Sequence, residues 1–253
     1  MAYKKYVSFS FDDGLEQDKK IIRILKEYGL RGATFNLNGG LMGQKRAIAY
    51  IGEIGFAEKE NLELLDKNGR FIKYAPAFRI PSDEIAQVYE DFEVASHGYL
   101  HENMKKLNPE MVRQSVEQDI RTLQKLTGKK IRGFAYPFGA VSDEAVEELK
   151  KLGIVYARTI TAAKDYSLPK DPMHLAPTYW MPQKKTEEAL KYFLKAPITQ
   201  EDQLFYMWGH GYELDFKTEN SSWDRFRRIC SMIAQSENVI CCTNSEIFSD
   251  ISQ

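Results

Sequence analysis

The chain has little of what would tie it together covalently. Its three cysteines, Cys230 and the adjacent pair Cys241 and Cys242, stand in no ligand spacing. That excludes a disulfide framework and a cysteine-based zinc cluster, and the thiols read as small apolar residues of a helix and a buried strand. An excess of either charge is also missing, with 35 Lys and Arg against 36 Asp and Glu, so no field marks nucleic acid or an anionic membrane as a partner. No apolar run is long enough to span a bilayer, and no internal repeat or low-complexity segment is present. The first residues run straight into an apolar strand without a basic leader, apolar core and cleavage site, so a soluble, cytoplasmic protein is the expectation. Histidine is scarce as well, with four in the chain.

What remains is an ordinary globular composition, 43% hydrophobic and 12% aromatic. At 253 residues the chain can bury one large core, and a single domain over residues 1–253 is expected. Apolar strands alternate with amphipathic helices. Ile21, Ile24, Leu25 and Tyr28 recur at helical spacing before Gly29, and Ala33 to Leu37 reads as the next strand. This β-α-β opening predicts parallel pairing through a right-handed crossover. Residues 38–91 are less orderly, with Asn68 and Gly69 marking a hairpin and Ser82 the cap of a helix through Tyr89. Further on, Asn108 and Pro109 cap a helix with an apolar stripe ending at Gly128, and Ser142 caps another ending near Gly153. Thr243 to Glu246 has the form of a capping box. The alternation argues an α/β fold.

Two stretches carry chemistry. Ser8-Phe9-Ser10-Phe11-Asp12-Asp13-Gly14 ends a strand with adjacent carboxylates, which leave the alternating pattern at different angles and suit two jobs. His97-Gly98-Tyr99-Leu100-His101 follows the strand Phe92 to Ser96, and its histidines share a face if the segment turns helically. An Asp-Asp-Gly turn alone is usually a solvated acidic pair, and two histidines four apart are often unrelated. Half of the chain's histidines in this spacing, with both motifs just after strands, together favour a site. Imidazole with carboxylate is a ligand set for zinc or a similar divalent ion.

These motifs, with Phe134-Ala135-Tyr136-Pro137-Phe138-Gly139 and the late Trp208-Gly209-His210, resemble the ordered motifs of the polysaccharide deacetylases with a NodB-type domain, carbohydrate esterase family 4. The resemblance runs from about residue 5 to about residue 245. It implies a distorted or incomplete (β/α) barrel, with the hairpin region inserted between the first two metal-binding motifs. It also implies that Asp13, His97 and His101 hold a divalent metal, most simply Zn2+ with Co2+, Ni2+ or Fe2+ as alternatives. By the same resemblance Asp12 is the general base, His210 the general acid, and the backbone N–H of Phe138 a donor to the oxyanion. The implied reaction is removal of acetyl from an N-acetylated or O-acetylated sugar or oligosaccharide. Tyr136, Trp180, Trp208 and Tyr212 are candidates to stack on a sugar face, although aromatics at strand ends are more often core. His174, in a proline-rich loop outside the motifs, reads as structural.

One departure stands out. Many members of the family carry arginine where this chain has Ala135, and that arginine steadies the base by ion pairing. The hypothesis here is that Arg158, near the end of the next strand, supplies the guanidinium instead; a second reading places it among the substrate contacts. Two other functions compete: hydrolysis of a different C–N bond, such as a cyclic amide or imide, and a non-catalytic carbohydrate-binding role, for which Ala135 is the motif-level support.

Overall fold

The computed structural model describes residues 3–50, 56–59, 74–163, 165–183, 185–216 and 222–249. Its centre is β1 (Lys5–Asp12), whose eight residues are all buried. Strand β2 (Ala33–Leu37) pairs parallel with its carboxyl half, after the crossover helix α1 (Gln17–Glu27). Beyond β2 lie β6 (Glu93–Ser96), β7 (Gly133–Ala135) and β8 (Tyr156–Arg158), each parallel to its neighbour. On the other edge of β1, β10 (Gln203–His210) pairs along the whole strand, followed by the short β9 (Tyr179–Trp180). The last strand, β11 (Ile240–Cys241), meets the start of β1, giving the order β8-β7-β6-β2-β1-β10-β9 with β11 on β1. The sheet curls into the incomplete, distorted barrel that the motif order implied.

The residues of β1 explain why it sits in the middle. From Val7 on, its odd positions are apolar and face the helices: Phe9 and Phe11 stack on each other and meet Phe226 of α6 (Trp223–Ala234) edge to face, and Phe11 stacks on Phe35. Fully burying such a side chain is worth about 1.5–3 kcal/mol over leaving it exposed. Its even positions are small or polar and face the concave side. Ser8 Oγ donates to Asn244 Oδ1 (3.2 Å), and Ser10 Oγ accepts from Asn36 Nδ2 (2.8 Å). Tyr6 packs there with Ala95, Tyr156, Leu175 and Tyr206 in a separate buried cluster. Asp12 is the last member of that even set, so the pleat itself delivers its carboxylate to the mouth of the curl.

The outer helices end where the sequence indicates. Asn108 accepts from Met111 N (2.9 Å) at the start of α3 (Pro109–Thr127), which closes at Gly128 with φ 68°. Ser142 caps α4 (Asp143–Lys151) through Ala145 N. The capping box on α7 (Asn244–Ser249) is reciprocal, Thr243 N to Glu246 Oε2 and Glu246 N to Thr243 Oγ1. The helix expected from Ser82 is shorter: α2 covers Ile85–Val88 and starts from Glu84, without a side-chain cap.

Between β2 and β6 the insertion forms its own antiparallel sheet, β3 (Ala47–Tyr50) flanked by β4 (Phe56–Lys59) and β5 (Tyr74–Pro76). The hairpin expected at Asn68 and Gly69 lies outside the described residues. Helix α5 (Thr186–Lys195) precedes β10 and packs against α6.

Candidate active site

Every motif residue singled out above emerges at the carboxyl end of a parallel strand, the end at which barrels of this kind build their sites. Register makes the first contacts. Asp12 pairs with Asn36 on one side and with His210 on the other. Its Oδ1 accepts from Asn36 Nδ2 (2.7 Å), its Oδ2 accepts from Arg158 Nη2, and His97 Nε2 and His210 Nε2 each lie 4.0 Å from Oδ2. Burial alone would raise the Asp12 carboxyl, but Arg158, His97 and His210 reverse this and hold it below the ordinary value.

Asp13 would follow the pleat to the opposite face had the backbone continued as a strand. It turns back instead, with φ 80°. Among the described residues three non-glycine positions have positive φ, Asp13, His101 (59°) and Phe138 (59°), and all three line one cavity of about 400 Å³. Such backbone costs roughly 1–2 kcal/mol per residue and collects where a site over-determines it. The histidine motif is not helical, contrary to the condition attached to it. Left-handed Gly98 (φ 75°) and His101 reverse the chain, and the two imidazoles meet edge to face with ring centroids 4.8 Å apart.

The result is a set of ligand atoms from Asp13, His97 and His101 within 4.8 Å of one another. The surroundings fit a cation. His97 Nδ1 donates to the Ala135 carbonyl (2.7 Å), which leaves Nε2 with its lone pair. Asp13 Oδ1 is buried and has no hydrogen-bond partner among the described residues; His101 Nε2 stands 3.9 Å from it and Arg79 Nη2 3.4 Å. Burial pushes His97 down to about 4 and lowers His101, so both imidazoles are neutral, as ligands must be. Burial would raise Asp13, yet Arg79 and the imidazoles hold it well below the carboxylate range.

His210 sits across from this cluster in an acidic setting. Its Nδ1 meets Glu213 Oε1 (2.9 Å), which also accepts from Trp180 Nε1 (3.0 Å), and its backbone N–H donates to Glu213 Oε2 (3.0 Å). A side chain at Gly209 would put its Cβ 2.7 Å from Glu213 Oε2, so glycine is what lets the carboxylate close in. Burial opposes the imidazolium, but Glu213, with Asp13 and Asp12, outweighs it and raises the pKa to about 9. His210 is a protonated donor near neutrality.

Tyr136, Phe138, Trp180, Trp208 and Tyr212 line the cavity. Tyr136 is nevertheless sealed, its hydroxyl donating to the Met173 carbonyl (3.2 Å), so it offers an edge of wall more than a platform. Arg158 as a substrate contact is corrected: it is fully buried and does not line the cavity, because its head group is spent on Asp12 and the Thr159 carbonyl, with Trp208 stacked over it. The ion pair with Asp12 is the role that Ala135 had left open. His174 lies outside the site, paired with Asp171 at 2.7 Å. Three functional positions were not singled out in the sequence: Asn36, Glu213 and Arg79. A polar residue central to an apolar strand signals the first, a carboxylate three after His210 the second; nothing local signals the third.

A curled parallel sheet with carboxylates and imidazoles converging at its strand ends defines the class of NodB-type barrels. The sequence profile of the polysaccharide deacetylases matches residues 2–157, and the chain belongs to that family. The match ends one residue before Arg158, so the cation paired with Asp12 and the whole His210 side lie beyond it. A peptidoglycan deacetylase-like protein of Gibberella zeae is 26% identical over 122 residues, 48% of this chain and 34% of that protein, so the alignment spans about a third of that relative's length. Among solved structures, a protein of Mycobacterium smegmatis provisionally named a polysaccharide deacetylase is 15% identical, with a TM-score of 0.63 over 100% of this chain and 91% of that one. A CE4 family pseudoenzyme from Bacillus anthracis is 18% identical, with a TM-score of 0.54 over 96% and 65%. At these identities the structural likeness concerns the fold.

Proposed function

We propose that this protein is a metal-dependent hydrolase that removes acetyl groups from an N-acetylated or O-acetylated carbohydrate. The observation that carries the reading is the convergence of Asp13, His97 and His101 opposite a carboxylate, Asp12, and a protonated imidazole, His210, on two sides of one cavity. A divalent ion held by the three ligands would supply a water of lowered pKa and polarise the acyl carbonyl. The chain's own groups do the rest. Asp12, kept ionised by Arg158 and oriented by Asn36, accepts a proton from the attacking water. His210 Nε2 gives its proton to the departing nitrogen or oxygen while Glu213 holds Nδ1 and stabilises the charge. The backbone N–H of Phe138, in the Pro137-Phe138-Gly139 turn that is left-handed at that residue, is the candidate oxyanion donor. Trp180, Trp208 and Tyr212 offer faces for a sugar ring.

The non-catalytic alternative loses its motif-level support, since Arg158 supplies the guanidinium that Ala135 lacks. A cytoplasmic location, and with it a substrate inside the cell, is part of the proposal. The test is acetate release from N-acetylated and O-acetylated sugars and oligosaccharides by protein stripped of metal and reloaded with Zn2+, Co2+, Ni2+ or Fe2+ in turn. Release that returns with one ion supports the reading and names the ion. Tight metal binding with no release from any acetylated sugar sinks it.

A further inference from the structure

Three positive side chains lie in or directly behind the cavity wall, and two of them already have a dedicated carboxylate. Arg158 is bound to Asp12 and His210 to Glu213. The third, Arg79, follows β5, is 5% exposed and lines the cavity. Its Nη2 is 3.4 Å from Asp13 Oδ1, while its Nε and Nη1 have no hydrogen-bond partner among the described residues. Asp13 is also a member of the ligand set, and a divalent ion bound there takes up its charge. Arg79 is then a buried guanidinium without an anion among the described residues, a costly arrangement unless something fills it. The count of charges agrees. Asp12, Asp13 and Glu213 balance Arg79, Arg158 and protonated His210, so a bound divalent ion leaves the cavity with two positive charges in excess.

We infer that Arg79 receives a carboxylate of the substrate, so that the acetylated sugar taken by this site is an acidic one. The inference rests on the hydrolase reading above. A guanidinium fork matches a carboxylate in two parallel hydrogen bonds, which a neutral hydroxyl cannot reproduce. Because Arg79 touches a ligand of the proposed metal, the anion must lie close to the acyl group being cut. It therefore belongs on a ring carbon next to the acetylated one, and not on a distant sugar of a polymer. Ala77, a small side chain, lines the same cavity as Arg79.

N-acetylglucosamine and N-acetylmuramic acid form a matched pair, differing in a carboxylate-bearing ether beside the acetamido group. Metal-loaded Asp12→Asn protein, unable to turn over, should bind the acid about tenfold or more tightly than the neutral sugar by calorimetry. Adding Arg79→Gln should bring that ratio to about one, and Arg79→Lys, which keeps the charge but not the fork, should leave it in between. In the active enzyme the ratio of kcat/KM for the two sugars should collapse in the same order. Equal binding of both sugars to Asp12→Asn protein overturns the inference, as does an Arg79→Gln variant whose turnover falls equally on both, which would make Arg79 a partner of Asp13 alone. Preferential binding of the acid without acetate release from either sugar would sustain the acidic-ligand inference and sink the hydrolase reading.

Discussion

The two sides of the cavity are built on opposite principles. On the side of Asp12, Arg158, His210 and Glu213, each charge is met: both Asp12 oxygens accept, and both Glu213 oxygens accept. On the side of Asp13, His101 and Arg79 the backbone is twisted, and Asp13 Oδ1, Arg79 Nε and Arg79 Nη1 have no hydrogen-bond partner among the described residues, against Arg158 Nε alone among the charged groups of the other side. Groups that move protons gain from being fixed in advance, since reorganisation would otherwise fall on the reaction itself. Groups that receive an ion or a ligand must keep lone pairs and charges in reserve. Under the proposed function, the contrast separates proton transfer from binding, residue by residue, across the peptide bond that joins Asp12 to Asp13.

That separation is breakable. Asp12→Asn should lower turnover by about a thousandfold or more while leaving metal content unchanged, measured as acetate release beside elemental analysis. A variant that lost the metal as well would show the two sides to be one network. Arg158→Met should cost about 3–5 kcal/mol of stability, because it leaves Asp12 charged and buried without its cation. Denaturant titration checks it, and a cost near zero would mean Asn36 and the imidazoles suffice. Glu213→Gln removes the charge and keeps one accepting oxygen, its amide NH2 taking the place of the other. The basic limb of the pH profile should move from about 9 toward the ordinary imidazole value of about 6.5, a loss of about thirtyfold in protonated His210 at pH 8. An unmoved limb would assign it to another group.

A carboxyl with no cation sharpens the comparison from outside. Asp18 is fully buried, accepts from Tyr89 Oη (2.7 Å) and Leu15 N (3.2 Å), and is raised by burial to about 8. Its folded pKa lies above the unfolded one, so the folded state holds the extra proton. Stability from this group is greatest at low pH and is lost as pH rises through about 8. Asp18→Asn, which can still accept both hydrogen bonds, should gain stability over the unaltered protein between about pH 4 and pH 8, with no further gain above. Thermal melts at pH 5, 7 and 9 would show it, and a difference constant with pH would mean Asp18 is ionised when folded.

Much of this was legible beforehand because it depends on short-range rules. Helix caps at Asn108, Ser142 and Thr243, the β-α-β opening and the ends of the motif strands follow from local pattern. Asp12 and Asp13 diverge because alternation carries one inward and a left-handed turn returns the other. What could not be read was register and the return of distant segments. Glu213 faces His210 because the turn after β10 winds back, and Arg79 reaches Asp13 from an insertion whose pattern is weak. Arg158 was found by asking what a missing arginine would require, then looking one strand further on.

The pairing of β1 with β10 has a consequence for how the protein is made. Strand β1 lies beside one that begins at residue 203, residue for residue from Lys5–Gln203 to Asp12–His210. Until most of the chain has left the ribosome, one edge of β1 stands open, and closing it means closing a loop of nearly the whole chain. Asp12 and His210, the proposed proton acceptor and donor, therefore come together late in assembly, and a chain halted early carries β1 with an unpaired edge, a species prone to aggregate.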